Sequence, residues 1–183
     1  MTDAAIFLVP HTPVASGDEV WGSPEFPQPL RLTWYRTDDA PPLALVTSVR
    51  AIVFRGDEVL VVREPSGQPY IIPGGRCERG ESLEGTVRRE VLEEVGWALD
   101  PLTPLGFVHL RNLGPRPPDH PYPYPDAFQL VYAAEAATYH PEALIFDEWV
   151  ASSAFMPVAA ARQLPRRAGE IALLGAAVSR RGR

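Results

Sequence analysis

Apolar residues recur along this chain with two different periods. Over residues 47–56, "TSVRAIVFRG", and 58–64, "EVLVVRE", β-branched side chains run almost without interruption around Gly56-Asp57. Such runs on either side of a Gly-Asp pair predict two antiparallel strands in a hairpin. "QPYIIPGG" (68–75) reads as a third short strand, stopped by Pro73 and two glycines. The period then changes. Val87, Val91 and Val95 recur at i, i+4 and i+8, which places an apolar stripe on a helix over residues 81–96. Ser82 is the expected N-cap and Gly96 the left-handed stop. Further strands are predicted at "LGFVHLRN" (105–112), "AFQLVYAAEA" (127–136) and "ALIFDEWV" (143–150). Two short helices, "MPVAAARQL" and "RRAGEIALLGAAVSRR", follow, separated at Pro165. The order β-β-β-α-β-β-β-α predicts an α/β fold in which helices cover a mixed sheet.

Residues 1–46 are rich in proline and read as an arm with one short strand at "LRLTWY" (30–35), packed on the domain or on a second subunit. Residues 47–183 then form one domain that includes the C-terminal helices. No repeat and no second domain are visible. The 183-residue length suits a single domain with an arm, and 45% hydrophobic with 22% charged residues suits a buried core. The formal charge of −6 disfavours a nucleic-acid backbone as partner, because that affinity needs clustered Lys and Arg. A small phosphorylated substrate stays open, since a metal ion can supply positive charge. A single cysteine, Cys77, excludes a disulfide within the chain. "MTDAAIFLVPHTP" lacks the basic start of a signal peptide, and "IALLGAAV" is too short to cross a bilayer, so a cytoplasmic location and no membrane partner are expected.

The predicted helix carries an electrostatic conflict. Glu90, Glu93 and Glu94 lie at i, i+3 and i+4 and share adjacent faces, where like charges repel. They are either a solvated acidic surface or the oxygen ligands of a hard divalent cation, Mg²⁺ or Mn²⁺. The "PGG" before the helix favours the second reading. A glycine turn brings backbone close, and the carbonyl of Gly75 is expected to be free as a further ligand. Glu81 and Arg89 are placed to pair and tie the loop to the helix.

Gly75, five residues, Glu81, seven residues, then Arg89-Glu90-Val91-Leu92-Glu93-Glu94-Val95-Gly96-Trp97 resembles the complete Nudix box. Seven specified positions at roughly 5–7% each make a chance match on the order of one in 10⁸ per starting point. Trp97 departs from the usual aliphatic residue, and Gly85 is unusual inside a helix. The first hairpin, "YIIPGG" with Tyr70 where tryptophan is frequent, and "EWV" at residues 148–150 are also similar to the family. The resemblance spans about residues 47–165. It implies a Nudix-type α/β/α sandwich and a metal-dependent pyrophosphohydrolase acting on a nucleoside diphosphate linked to another group. ADP-ribose, nucleotide sugars, dinucleotides and noncanonical nucleoside triphosphates all stay open. By the same resemblance Glu90, Glu93, Glu94 and Gly75 bind metal, Arg89 and Glu81 order the box, and a homodimer is expected. The general base is Glu90 or a carboxylate of the later loop, where Glu142, Asp147 and Glu148 are available.

For substrate contacts, Arg50, Arg55, Arg63, Arg76, Arg79, Arg111 and Arg116 are all candidates to pair with phosphate, with Arg63 and Arg111 favoured because strand ends and loops reach a cleft. The loop "HPYPYPDAF" faintly resembles the Pro-aromatic signature of the family's NADH diphosphatases. Tyr122 and Tyr124 are its candidates for stacking on a base; otherwise the loop is a stiff connector. Two other classes compete with an active hydrolase. One is a Nudix domain that senses a nucleotide without cleaving it. The other is an interaction protein using its Pro-rich segments, which would leave the box unexplained.

Overall fold

The computed structural model describes residues 1–118, 120–145, 149–165 and 167–181. The predicted hairpin is present as β3 (Val46–Arg55) and β4 (Glu58–Arg63), closed by Gly56 at φ 59° with Arg55 opposite Glu58. The third strand is brief, β5 (Pro69–Tyr70), and pairs with β4. The predicted helix is α2 (Leu83–Val95). The Ser82 hydroxyl accepts the Gly85 N–H, and Gly96 ends the helix at φ 75°. A Cβ on Gly85 would stand 3.0 Å from that capping oxygen, which accounts for a glycine so early in the helix.

Two long strands complete the centre, β6 (Trp97–Asn112) and β7 (Asp126–Tyr139). β7 runs antiparallel to β6 and parallel to β3, so the sheet is mixed. Alternation along β3 divides the core. Val49, Ala51 and Val53 join Val87, Val91 and Val95 of α2 on one face. Ile52 and Phe54 join Leu173 and Leu174 of α4 (Ala168–Arg181) on the other. The result is helix, sheet, helix: the expected α/β/α sandwich.

Among the described residues of 143–150 the predicted strand does not form. Ala143 closes a 3₁₀ turn (Pro141–Ala143), residues 144 and 145 are in neither helix nor strand, and residues 146–148 lie outside the described residues. The apolar run that suggested it is not core: Ile145 and Trp149 are 59% and 66% exposed. The strand is instead β8 (Ser152–Pro157), along the free edge of β4, and leads into α3 (Val158–Ala161). The N-terminal segment carries more structure than the one strand expected at 30–35. After a short helix α1 (Asp3–Leu8), residues 13–36 form a full hairpin, β1 (Pro13–Ser23) and β2 (Phe26–Arg36), and β2 pairs along β6. Leu30, Leu32 and Trp34 are buried under α4, where a Cβ on Gly169 would fall 2.0 Å from the Trp34 ring. The sheet order is therefore β1-β2-β6-β7-β3-β4-β5, with β8 beside β4.

Candidate active site

The turn before α2 is strapped to β3 by backbone. Ala51 N–H donates to the Pro73 carbonyl at 2.9 Å, Val49 N–H to that of Gly75 at 2.9 Å, and Cys77 N–H to that of Thr47 at 3.1 Å. The Gly75 carbonyl is thus not free as expected; one lone pair is engaged and one is left. Gly74 has φ 131°, and a Cβ there would strike the Val49 carbonyl at 2.4 Å. Both glycines exist because the turn presses onto β3 on one side and α2 on the other. At Gly75 a Cβ would lie 2.1 Å from Oε2 of Glu90, so this carboxylate rests on the glycine.

Glu94 reaches into the turn. Its Oε2 accepts the Gly74 N–H at 2.7 Å, and its Oε1 accepts the Tyr70 hydroxyl. Arg50 donates to the Gly74 carbonyl from β3. Burial pushes the Arg50 pKa down, opposed first by the charge of Glu94. In sequence Arg50 is one of several arginines without rank. Its signal was a lone charge inside the apolar run Val49–Phe54.

Arg89 is the centre of the remaining carboxylates. It binds Glu81 through two bonds, at 2.9 and 3.0 Å, and donates to Glu90 at 3.0 Å and Glu93 at 3.1 Å. A further bond of 3.3 Å ends on the Arg76 carbonyl. Glu81 also accepts from the Thr86 hydroxyl at 2.7 Å. With Arg89 the larger cause and Thr86 the next, the Glu81 carboxyl is held down at about 2. The same contacts with Glu81 raise Arg89 further above its ordinary range. The like-charge conflict is therefore partly offset inside the protein: one guanidinium serves three carboxylates, while Glu94 takes its hydrogen bonds from Gly74 and Tyr70.

Among the described residues no three His, Cys, Asp or Glu side chains converge as ligands of one ion. The donor chemistry nevertheless suits a hard cation, because Glu90, Glu93, Glu94 and the Gly75 carbonyl all offer oxygen. Glu90 and Glu93 would turn from Arg89 toward it.

The expected substrate residues divide. Tyr122 folds back over the box turn: Arg76 donates to its hydroxyl and lies 4.6 Å from its ring centroid. Tyr124 instead donates to the Gly114 carbonyl and pins its own loop. Arg111 is committed to Asp126 at 3.2 Å, and Arg63 donates to the Gly67 carbonyl at 3.2 Å. Glu142 accepts from His140 at 2.9 Å, and among the described residues it has no hydrogen bond to the box. Its loop does touch α2, through Ile145 N–H to the Glu93 carbonyl at 2.9 Å. Asp147 and Glu148 lie outside the described residues. Burial raises the Cys77 thiol pKa, which disfavours a reactive thiolate.

A family model described as the NUDIX domain matches residues 44–174. The chain belongs to the NUDIX hydrolase family. The NAD-capped RNA hydrolase NudC of Pseudomonas aeruginosa (strain LESB58) is 34% identical over 128 residues, which is 67% of this chain and 42% of NudC. This NUDIX chain spans less than half the length of the curated relatives it matches. In fold it is similar to a NUDIX hydrolase from Nitrosomonas europaea, with TM-score 0.56 and 20% identity, covering 73% of this chain and 89% of that one. It is also similar to the NUDIX domain of Shewanella oneidensis NrtR, solved as a complex with ADP ribose, with TM-score 0.55 and 22% identity, covering 75% and 88%.

Proposed function

We propose that this NUDIX chain cleaves the diphosphate of a nucleoside diphosphate linked to another group, of the ADP-ribose, nucleotide-sugar or dinucleotide type. The observation that carries this is the joint placement of Gly75, Glu81, Arg89, Glu90, Glu93 and Glu94 around one turn. Bound there by Glu90, Glu93, Glu94 and the Gly75 carbonyl, Mg²⁺ or Mn²⁺ would neutralise phosphate oxygens and lower the pKa of an attacking water. The chain's own groups do the rest. Glu90 takes the water proton, because its carboxylate sits on the open glycine turn. Arg89 holds Glu81 and so fixes the loop against the helix. Arg76, presented with Tyr122, meets the phosphate or the base beside it. The NudC and NrtR similarities support a substrate with a nucleobase. A homodimer and a cytoplasmic location are proposed on family grounds; no helix among the described residues is long and apolar enough to cross a membrane.

Arg89's hold on Glu90 and Glu93 favours a second reading, a domain that binds nucleotide without cleaving it. Incubating the protein with a nucleotide panel and Mg²⁺ or Mn²⁺, and resolving products by chromatography, separates the two. Metal-dependent mononucleotide products, lost in Glu94→Gln, are expected. Ligand binding without products would establish the sensor reading instead.

A further inference from the structure

A pocket of about 470 Å³ has Tyr70, whose hydroxyl donates to Glu94 of α2, among its lining residues. Glu19, Glu64, Gln68, Tyr70, Arg167 and Glu170 line it, with Pro69 and Pro165. It draws its walls from β1, the β4–β5 turn and α4, which the box does not use. Its volume lies in the range of small-molecule sites.

The polar groups are of two kinds. Some are spent on structure. Arg167 holds Glu19 at 2.5 and 3.0 Å, and Trp21 donates to Glu19 at 2.8 Å. Glu170, 1% exposed, accepts the Ile71 N–H at 3.2 Å and an Arg167 bond at 3.4 Å. These contacts make a rigid floor. The others are less committed. The Gln68 amide has no side-chain partner among the described residues, and Glu64 uses one oxygen, to accept from Ser66 at 3.2 Å. Three carboxylates against one committed guanidinium would repel a phosphate. Carboxylate and amide oxygens accept hydroxyl protons, while the Tyr70 ring and two prolines offer flat apolar faces. Acceptors beside an aromatic and proline wall match a sugar ring, with its hydroxyl rim and C–H faces. Tyr70 joins this pocket to Glu94, so a diphosphate at the box would reach it through its attached group.

We infer that this pocket receives the sugar attached to the diphosphate, and that Gln68 and Glu64 recognise its hydroxyls. The inference rests on the hydrolase reading for its kinetic test, so a binding test accompanies it. Kinetics compare ADP-ribose with ATP, which lacks the distal sugar, in wild type, Gln68→Ala and Glu64→Ala. One lost hydrogen bond predicts a KM for ADP-ribose raised about three- to tenfold, with kcat and the KM for ATP unchanged. Separately, methyl β-D-ribofuranoside, a neutral sugar, is titrated against intrinsic fluorescence, to which Trp21 on Glu19 contributes, with weaker binding expected in both variants. Turnover with an unchanged ADP-ribose KM in both variants overturns the pocket assignment. No turnover of either substrate, with the riboside bound and weakened by Gln68→Ala, overturns the hydrolase reading and supports the pocket. No saturable riboside binding by wild type also overturns the pocket.

Discussion

Two neighbouring glycines should fail in different ways when each is given a methyl group. At Gly75 the new Cβ would sit 2.1 Å from Oε2 of Glu90 and 2.3 Å from its carboxyl carbon. Ordinary contact needs about 3.4 Å or more, so the carboxylate must retreat by about 1 Å. Glu90 is the far end of a flexible side chain, so this costs the fold little. A displacement of that size at a reacting group is worth about 10²-fold in rate. At Gly74 the same methyl would meet the Val49 carbonyl at 2.4 Å and the Arg50 Cα at 3.0 Å, with φ at 131°. Those atoms are backbone, so the strap between turn and β3 must give, at a cost of about 1–3 kcal/mol. Gly75→Ala should therefore lose about 10²-fold in kcat with its melting temperature within about 1 °C of wild type. Gly74→Ala should lose activity and also melt about 2–10 °C lower. Purified variants, circular dichroism melts and initial rates on one substrate decide it. Wild-type kcat in Gly75→Ala, or equal melting losses in both variants, would refute the placement of Glu90 on Gly75.

Three further outcomes follow from the same geometry. Arg89→Ala leaves Glu81, Glu90 and Glu93 uncompensated, so it should cost about 2 kcal/mol, lowering the melting temperature by about 4–8 °C as well as activity; an unchanged melt refutes the structural role. The Glu81 carboxyl titrates at about 2 instead of its ordinary 4.5, so its stabilisation is whole above 4.5 and is lost as pH falls toward 2. Glu81→Gln should be the less stable protein at pH 7 and have a shallower loss through that window; parallel melting curves would count against it. Tyr122→Ala, made beside the box turn, should raise the KM of a nucleotide substrate about tenfold with little change in kcat, whereas Tyr124→Phe should instead loosen the loop and be seen in proteolysis.

Local chemistry was readable in the sequence, and distant pairing was not. The helix α2 carried its own cap, stripe and stop within one short segment, so Ser82, Val87 and Gly96 located it. The β3–β4 hairpin was equally local. The β1–β2 hairpin was missed because most of β1 is exposed and shows no alternation, and because β2 is held by β6, far along the chain. At 143–150 the difference is of the opposite sort: apolar composition there does not mean burial, since Leu144, Ile145 and Trp149 are exposed. Within the site, the spacing of the box located its carboxylates. It could not show that Arg89 would gather Glu90 and Glu93, nor that Tyr70 would take Glu94, because both depend on rotamers and on the approach of β5. The link of Glu19 to Arg167 joins residues whose neighbourhood only the folded sheet creates.

The place of β2 has a consequence during synthesis. Its sheet partner β6 emerges some 70 residues after it, and the helix that covers Leu30, Leu32 and Trp34 is made later still. At about 5–20 residues per second, that apolar ribbon waits several seconds on the ribosome with one side bare. A hairpin alone is marginal in water, so it gains little protection from its own turn. Expression yield should therefore respond to conditions that shield nascent apolar surface, such as lower temperature or added chaperone, even where the finished protein is stable.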